Sequence, residues 1–67
     1  MTLRELRTCV ATDNHATFTL TKFGRSFSLE NVHWDEIGNR YKNSEVWMAY
    51  PEETSCCSVK KWRVALK

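Results

Sequence analysis

The residues of this chain best suited to chemistry are positive charges next to an aromatic ring. Residues 60–63 read Lys-Lys-Trp-Arg, and Lys22 and Arg25 lie beside an earlier segment rich in threonine. On a sheet surface, an exposed ring stacks on a base while Lys and Arg neutralise phosphates. The pattern predicts a nucleic-acid-binding surface with these anion contacts: Lys22, Arg25, Lys60, Lys61 and Arg63. The alternative is that Trp62 lies in the core and the cations are its solvated flanks.

A second set of rings predicts a protein interface. Trp34, Trp47 and Tyr50 exceed what the thin core of a 67-residue chain can cover. Trp47 alternates with Val46 and Met48, so we expect its side chain to face away from the core. Because exposed Trp side chains among charges are typical interface anchors, we expect all three rings to form contacts with another protein. We also expect homo-oligomers, since self-association would compensate for the small core.

The three cysteines predict neither a metal site nor a cofactor. Cys56 and Cys57 are adjacent and Cys9 is remote in sequence, so no Cys-x-x-Cys pair exists, and the histidines lack zinc-finger spacing. Adjacent cysteines rarely bridge each other, because the bond strains the peptide between them. Since the chain does not open with a secretory signal, we expect reduced thiols in the cytoplasm. A disulfide from Cys9 to Cys56 or Cys57 is the alternative.

Residue patterns for catalysis are scarce. Asp35 and Glu36 are neighbours, but on a helix they diverge by about 100° and indicate a solvated first turn. Gly24 and Gly38 do not suffice to build a phosphate-binding loop. A chain this short also struggles to enclose a substrate pocket. We therefore expect a protein that is not an enzyme and has no small-molecule substrate, with DNA processing by an oligomer as the exception.

Charge is unevenly distributed, although the net charge is only +2. Residues 30–53 hold six acids and two cations, whereas residues 60–67 hold four cations and no acid. This asymmetry predicts two surfaces of opposite potential. It also supports a second hypothesis, a protein–protein inhibitor that uses its acidic segment and exposed Trp without contacting nucleic acid. No apolar run has the length of a membrane span.

A capping box at residues 2–5 predicts a helix at the start of the chain. Leu3, Leu6 and Val10 follow at i, i+3 and i+7, the spacing of one helical face. Turn-forming residues should end this helix before residue 14. The alternative is a strand that begins at residue 7.

Two alternating segments predict a β-hairpin. Phe18 and Leu20 alternate with threonines over residues 16–23, and β-branched threonine suits a half-exposed strand. A turn at residues 23–26 contains Gly24, which is free to adopt a positive φ. A second strand at residues 26–29 completes the hairpin.

A change of period predicts a short or broken helix over residues 31–43. Asn31 is its expected N-cap, and Trp34, Ile37 and Tyr41 share one helical face. A glycine in the interior weakens this helix by about 1 kcal/mol.

The rest of the chain predicts two strands. The first, over residues 44–50, should end at Pro51, with a polar turn at residues 52–55. The second, over residues 56–66, changes parity partway. Such a change requires either a β-bulge near residues 60–61 or a turn in its first part.

The elements add up to one α+β domain over residues 1–67, with a small four-stranded antiparallel sheet and one or two short helices on one face. The expected core comprises Leu3, Leu6, Val10, Phe18, Leu20, Phe27, Leu29, Ile37, Val46, Met48, Trp62, Val64 and Leu66.

The chain resembles a loose group of short proteins from Firmicutes phages and mobile elements. The likeness spans most of the chain and rests on these segments: residues 1–6, Glu36-Ile37, Tyr41, Glu45-Val46 and the final alternating strand. The resemblance implies an accessory or counter-defence role in a bacterial host cell, including anti-CRISPR activity. The implied target is nucleic acid or a nucleic-acid-handling host complex.

One anti-CRISPR class of comparable size is similar to the coactivator-type single-stranded-DNA-binding fold, forms oligomers and acts on DNA. The middle of this chain departs from the pattern of the group at Trp34, Trp47 and residues 56–57. No functional residue of that class therefore carries over to this sequence.

Overall fold

The amphipathic segments assemble into one sheet with short helices. A computed structural model describes residues 1–22, 24 and 26–67. Its elements in chain order are α1 (Leu3–Cys9), β1 (Thr12–Lys22), β2 (Ser28–His33), a 3-10 helix (Trp34–Glu36), α2 (Asn39–Lys42), β3 (Val46–Ser55) and β4 (Ser58–Leu66). The predicted α+β fold with four strands is confirmed. Phe23 and Arg25 lie outside the described residues, and with them most of the predicted turn at 23–26 and the predicted anion contact at Arg25.

The sheet is mixed, with the strand order β2-β1-β4-β3. β1 is antiparallel to β2, and β3 is antiparallel to β4, whereas the two central strands β1 and β4 run parallel. The prediction of a purely antiparallel sheet is therefore wrong at its centre. Alternating hydrophobicity identifies the two faces of a strand and not its direction, so the pattern held no information on this pairing.

The predicted capping box begins α1. The Thr2 hydroxyl accepts the Glu5 N–H at 3.2 Å, and the Glu5 carboxylate accepts the Thr2 N–H at 3.0 Å. The bond from the Thr2 backbone lowers the pKa of Glu5, so the stabilisation it gives is present at neutral pH and is lost on acidification. The helix ends at Cys9, which excludes a strand from residue 7. Val10 caps this end and is exposed, so its predicted place in the core is wrong.

The core lies on one face of the sheet. Its buried hydrophobic residues are Leu3, Leu6, Ala16, Phe18, Leu20, Ile37, Val59, Trp62, Val64 and Leu66. Within β1 and within the end of β4 these residues alternate, so they point to the side that α1 covers. Phe27, Leu29 and Val46 pack at its margin as partly buried residues. Among the described residues, no helix packs on the opposite face, which we call the open face.

Two of the three register shifts between β3 and β4 explain where the alternation fails. Between the pairs Glu53↔Lys61 and Thr54↔Val59, β4 advances by two residues and β3 by one, which is a bulge near residues 60–61, one of the two alternatives. The other alternative is realised as well, because Cys56 and Cys57 belong to the turn before β4. The bulge lets Val59 share the core face with Trp62, although their parities differ. An extra residue in β3 after Val46 likewise moves Met48 from its predicted place in the core to solvent.

β3 also continues through Pro51, where the prediction ended it. Pro51 pairs with Trp62, and the strand runs on to Ser55, so the predicted polar turn at residues 52–55 is wrong. Proline is tolerated because β3 is an edge strand with no neighbour on its other side within the described sheet.

The turn between β3 and β4 is formed by Cys56 and Cys57. Cys56 has a φ of 53°, a conformation that glycine usually supplies in two-residue hairpin turns. Both thiols are exposed and free, as is the thiol of Cys9, so the alternative of a disulfide from Cys9 is not realised.

The segment predicted as one helix over residues 31–43 is divided. Asn31 is not an N-cap but lies in β2, with a φ of 52° at a register shift. The 3-10 helix and α2 follow, with Ile37 between them and buried as predicted. Residues 37 and 38 adopt extended backbone angles, so they interrupt the helical segment and leave a short helix on each side.

Candidate binding surfaces

The predicted anion-binding cations of β4 lie beside acids. The Arg63 guanidinium donates to the Glu52 carboxylate, and this bond raises the pKa of Arg63 above its usual value. Lys61 lies directly opposite Glu53 in the β3–β4 register. The acidic and basic segments therefore meet on adjacent strands, and the prediction that they form two surfaces of opposite potential is wrong at these residues.

Lys22 lies apart from the cations of β4. It pairs with Leu66 at one end of β1, whereas Lys61 pairs with Thr17 near the middle. Five residues of strand separate these positions on β1, or about 16 Å. By strand alternation Lys22 also points to the helix side, whereas Lys61 and Arg63 point to the open face. The structure therefore does not bring the predicted contacts into one patch.

Five cations instead gather on the helix side. We call this group the cationic belt, and its members are Arg4, Arg7, Lys22, Arg40 and Lys42. The Arg4 guanidinium donates to Asn43 Oδ1 at 3.3 Å and to Asn39 Oδ1 at 3.5 Å, which joins α1 to α2. Sequence reasoning missed this group because its members come from three elements. The i, i+3 spacing of Arg4 and Arg7 was its one local signal.

Two members of the belt contact one aromatic ring. Arg7 Cζ lies 4.9 Å and Lys42 Nζ 4.8 Å from the Trp34 ring centroid, within the range of cation–π attraction. The ring is partly buried, and its centroid lies 5.6 Å from that of Phe18. Trp34 thus contacts belt cations and the core of its own chain, and its place in a protein interface stays a prediction.

No acid among the described residues forms an ion pair with a belt cation. The carboxylates of Glu5 and Glu36 accept backbone N–H groups of Thr2 and His33. Ion pairs in the described part of the chain join the Met1 amino group to Glu45 and Arg63 to Glu52, and none involves a belt residue. The belt is therefore the larger group of cations without an ion pair among the described residues.

The two other predicted interface residues are exposed on β3. Trp47, Met48 and Tyr50 are 51%, 52% and 48% exposed, and we call them the β3 ridge. The prediction of exposure for Trp47 and Tyr50 is confirmed. Met48 joins them because the bulge at Trp47 turns it away from the core. Tyr50 pairs with Arg63, which places it on the open face.

A cleft at the open face has titratable side chains in its lining. It has a volume of about 320 Å³ and contains Asp13, His15 and Lys61 among its lining residues. The Asp13 carboxylate accepts the backbone N–H of His15 at 2.7 Å, and no hydrogen bond in the described residues joins the His15 imidazole to a carboxylate. This arrangement lacks the oriented base that nucleophilic catalysis requires. The described residues also contain no group of three or more His, Cys, Asp or Glu side chains placed to hold a metal ion.

The described protein thus presents two separate surfaces, a cationic belt on the helix side and an apolar ridge on an edge strand. None of the described helices combines the length and the apolar character needed to cross a bilayer. Comparisons with protein families, with curated proteins and with solved structures found no match to this chain.

Proposed function

We propose that this domain binds nucleic acid through the cationic belt. The observation that carries the proposal is the distribution of charge partners. The five belt cations have no carboxylate within ion-pair distance among the described residues, whereas Arg63 of the run at residues 60–63 is paired with Glu52. Lys60 and Lys61 of that run form no ion pair there either, so the belt is the larger group of unpaired cations. A phosphate displaces only counterions from an unpaired cation, but must compete with the bound acid at a paired one. The resemblance to proteins of phages and mobile elements supports the same class of target.

The local contacts of the belt prepare it for phosphates. The Trp34 ring holds Arg7 and Lys42, and two asparagine side chains hold Arg4. Side chains already held in place lose less conformational entropy when they bind. Contacts to phosphate need no deep groove and carry no base information, so a belt of exposed and partly exposed cations suffices for sequence-independent binding.

Titration of labelled oligonucleotides at several salt concentrations tests this function. We expect binding of a single-stranded oligonucleotide at low salt, with an affinity that falls linearly on a log–log plot. If all five belt cations contact phosphates, the limiting slope is about −3.5. Absence of binding at micromolar protein and low salt, or an affinity independent of salt, would overturn the proposal.

The β3 ridge supports a second candidate function, association with another copy of this chain. Three half-exposed apolar side chains on one edge strand are more than single scattered hydrophobic residues. The open face beside the ridge carries acids on β3 and cations on β4. When two copies meet through this face, the acids of one can therefore lie against the cations of the other. Acidic mimicry has less support, because Glu45 and Glu52 are already engaged in ion pairs.

Sedimentation velocity distinguishes this second candidate. Wild-type protein should form dimers as its concentration rises to roughly 100 μM, and Met48→Glu should keep it monomeric. Val10→Glu is the matched control, because Val10 is exposed but lies on the other side of the molecule, at the end of α1. A wild-type monomer throughout this range would remove the self-association candidate.

A further inference from the structure

The belt contains a cleft that combines positive charge with a pair of aromatic rings. The cleft is lined by Lys22, Phe27, Arg40 and Tyr41, and its volume is about 220 Å³. The Phe27 and Tyr41 ring centroids are 5.0 Å apart, with an angle of 30° between the ring planes. Both rings are partly buried, so each is fixed by the core and still reaches the surface.

From this cleft we infer a stacking subsite for one unpaired base, which makes the belt selective for single strands. The inference rests on the proposed function and names its preferred substrate. Aromatic rings bind any base through its π-face, and neighbouring Lys and Arg side chains bind the phosphates on either side of it. Phe27 and Tyr41 supply the rings in this cleft, and Lys22 and Arg40 supply the charges.

The size of the cleft limits what it can hold. Pockets for whole small molecules measure about 300–1,000 Å³, and this cleft is smaller. A single flat base fits such a volume, while its sugar and phosphate remain at the rim beside Lys22 and Arg40. The bases of a duplex are paired and stacked on their neighbours, so they cannot enter without being extruded.

The position of the cleft makes it continuous with the rest of the belt. α2 contributes Arg40 and Tyr41 to the cleft and Lys42 to the contact with Trp34. Arg4 binds Asn39 at the start of the same helix. A strand bound at Arg4, Arg7 and Lys42 therefore passes α2, where one of its bases meets the cleft.

An oligonucleotide without bases separates stacking from phosphate binding. We compare oligothymidylate with an abasic oligonucleotide of the same length and charge, using wild type, Tyr41→Phe and Tyr41→Leu. Wild type should bind oligothymidylate roughly 5- to 150-fold more tightly than the abasic strand, the range expected for one stacked base. Tyr41→Phe should keep this preference, and Tyr41→Leu should reduce it several-fold while the affinity for the abasic strand stays unchanged.

Each result bears on a different part of the proposal. Equal affinity of wild type for the two strands would overturn the stacking subsite and leave nucleic-acid binding intact. Binding of neither strand would overturn the proposed function and the subsite together. If Tyr41→Leu does not fold, as judged by circular dichroism, Phe27→Leu replaces it, and the wild-type preference for oligothymidylate over the abasic strand still tests the stacking subsite. Arg40→Gln should weaken binding of both strands equally, and a loss confined to oligothymidylate would contradict its assignment to phosphate.

Discussion

Replacement of Phe18 by alanine should unfold this domain at 25 °C. Phe18 is 1% exposed, lies on the central strand β1 and contacts the ring of Trp34. Phe→Ala substitutions in a core cost about 3–5 kcal/mol, because the apolar transfer energy is lost and a cavity remains. The whole core of a domain this small contributes about the same amount, roughly 3–5 kcal/mol. Phe18→Ala should therefore lose its cooperative thermal transition in circular dichroism.

Tyr50→Ala is the matched control, because it removes a large ring from the same sheet at a position that is 48% exposed. Its free energy of unfolding should fall by less than about 1 kcal/mol, as is usual away from the core. If Phe18→Ala melts cooperatively within a few degrees of wild type, the core does not have the arrangement described above.

Charge reversal in the belt should have the largest effect on binding. Arg7→Glu with Lys42→Glu removes two phosphate contacts and adds two repulsive charges. At about 0.1 M salt a slope of about 0.7 per contact makes each phosphate contact worth about a factor of five, so loss of two contacts should lower the affinity for single-stranded DNA by about 25-fold, and the two repulsive charges should lower it further. The slope of affinity against salt should also become less steep by about 1.4. Fluorescence anisotropy with a labelled oligonucleotide measures both quantities.

Lys60→Glu with Lys61→Glu is the control of equal charge. It changes the net charge by the same amount on β4, where Glu53 lies opposite Lys61. We expect less than about a fivefold loss from this long-range effect. A greater loss of affinity for the β4 double variant than for the belt double variant would contradict the proposal and place the nucleic-acid-binding site on β4, as the sequence pattern predicted. If the two glutamates beside Trp34 impair folding, the neutral double variant Arg7→Gln with Lys42→Gln takes their place, because it removes the same two positive charges without adding negative ones.

The alternation of apolar residues predicted most of the core. Phe18, Leu20, Val64 and Leu66 are buried as expected, because a regular strand presents every second residue to the same face. The prediction that Met48 lies in the core was wrong, because the bulge at Trp47 adds one residue and reverses the alternation after it. A bulge has no residue signature of its own in β3, so only the observed register reveals it.

Turns were harder to predict where the usual turn residues are absent. The hairpin between β3 and β4 turns at two cysteines, while glutamates and a proline that read as a turn lie inside β3. Tertiary pairing with β4 outweighs these local preferences. The capping box of α1 was predicted correctly because both of its hydrogen bonds join residues that are near in sequence.

The binding surfaces depend on contacts between distant segments. The run at residues 60–63 is basic in sequence, but Glu52 and Glu53 lie beside it only through the β3–β4 register. The belt draws its cations from α1, β1 and α2, so no window of the sequence contains it. Exposure of Trp47 and Tyr50 could be predicted from composition, because a chain of this size has more large rings than its core can cover.

The position of β4 has a consequence for synthesis on the ribosome. β4 is the last of the four strands to be translated, yet it lies between β1 and β3 in the finished sheet. The β1–β2 hairpin can form as soon as His33 has emerged, but the other edge of β1 stays unpaired until β4 arrives. Nascent chains that stall before residue 62 should therefore remain protease-sensitive and need protection from premature association.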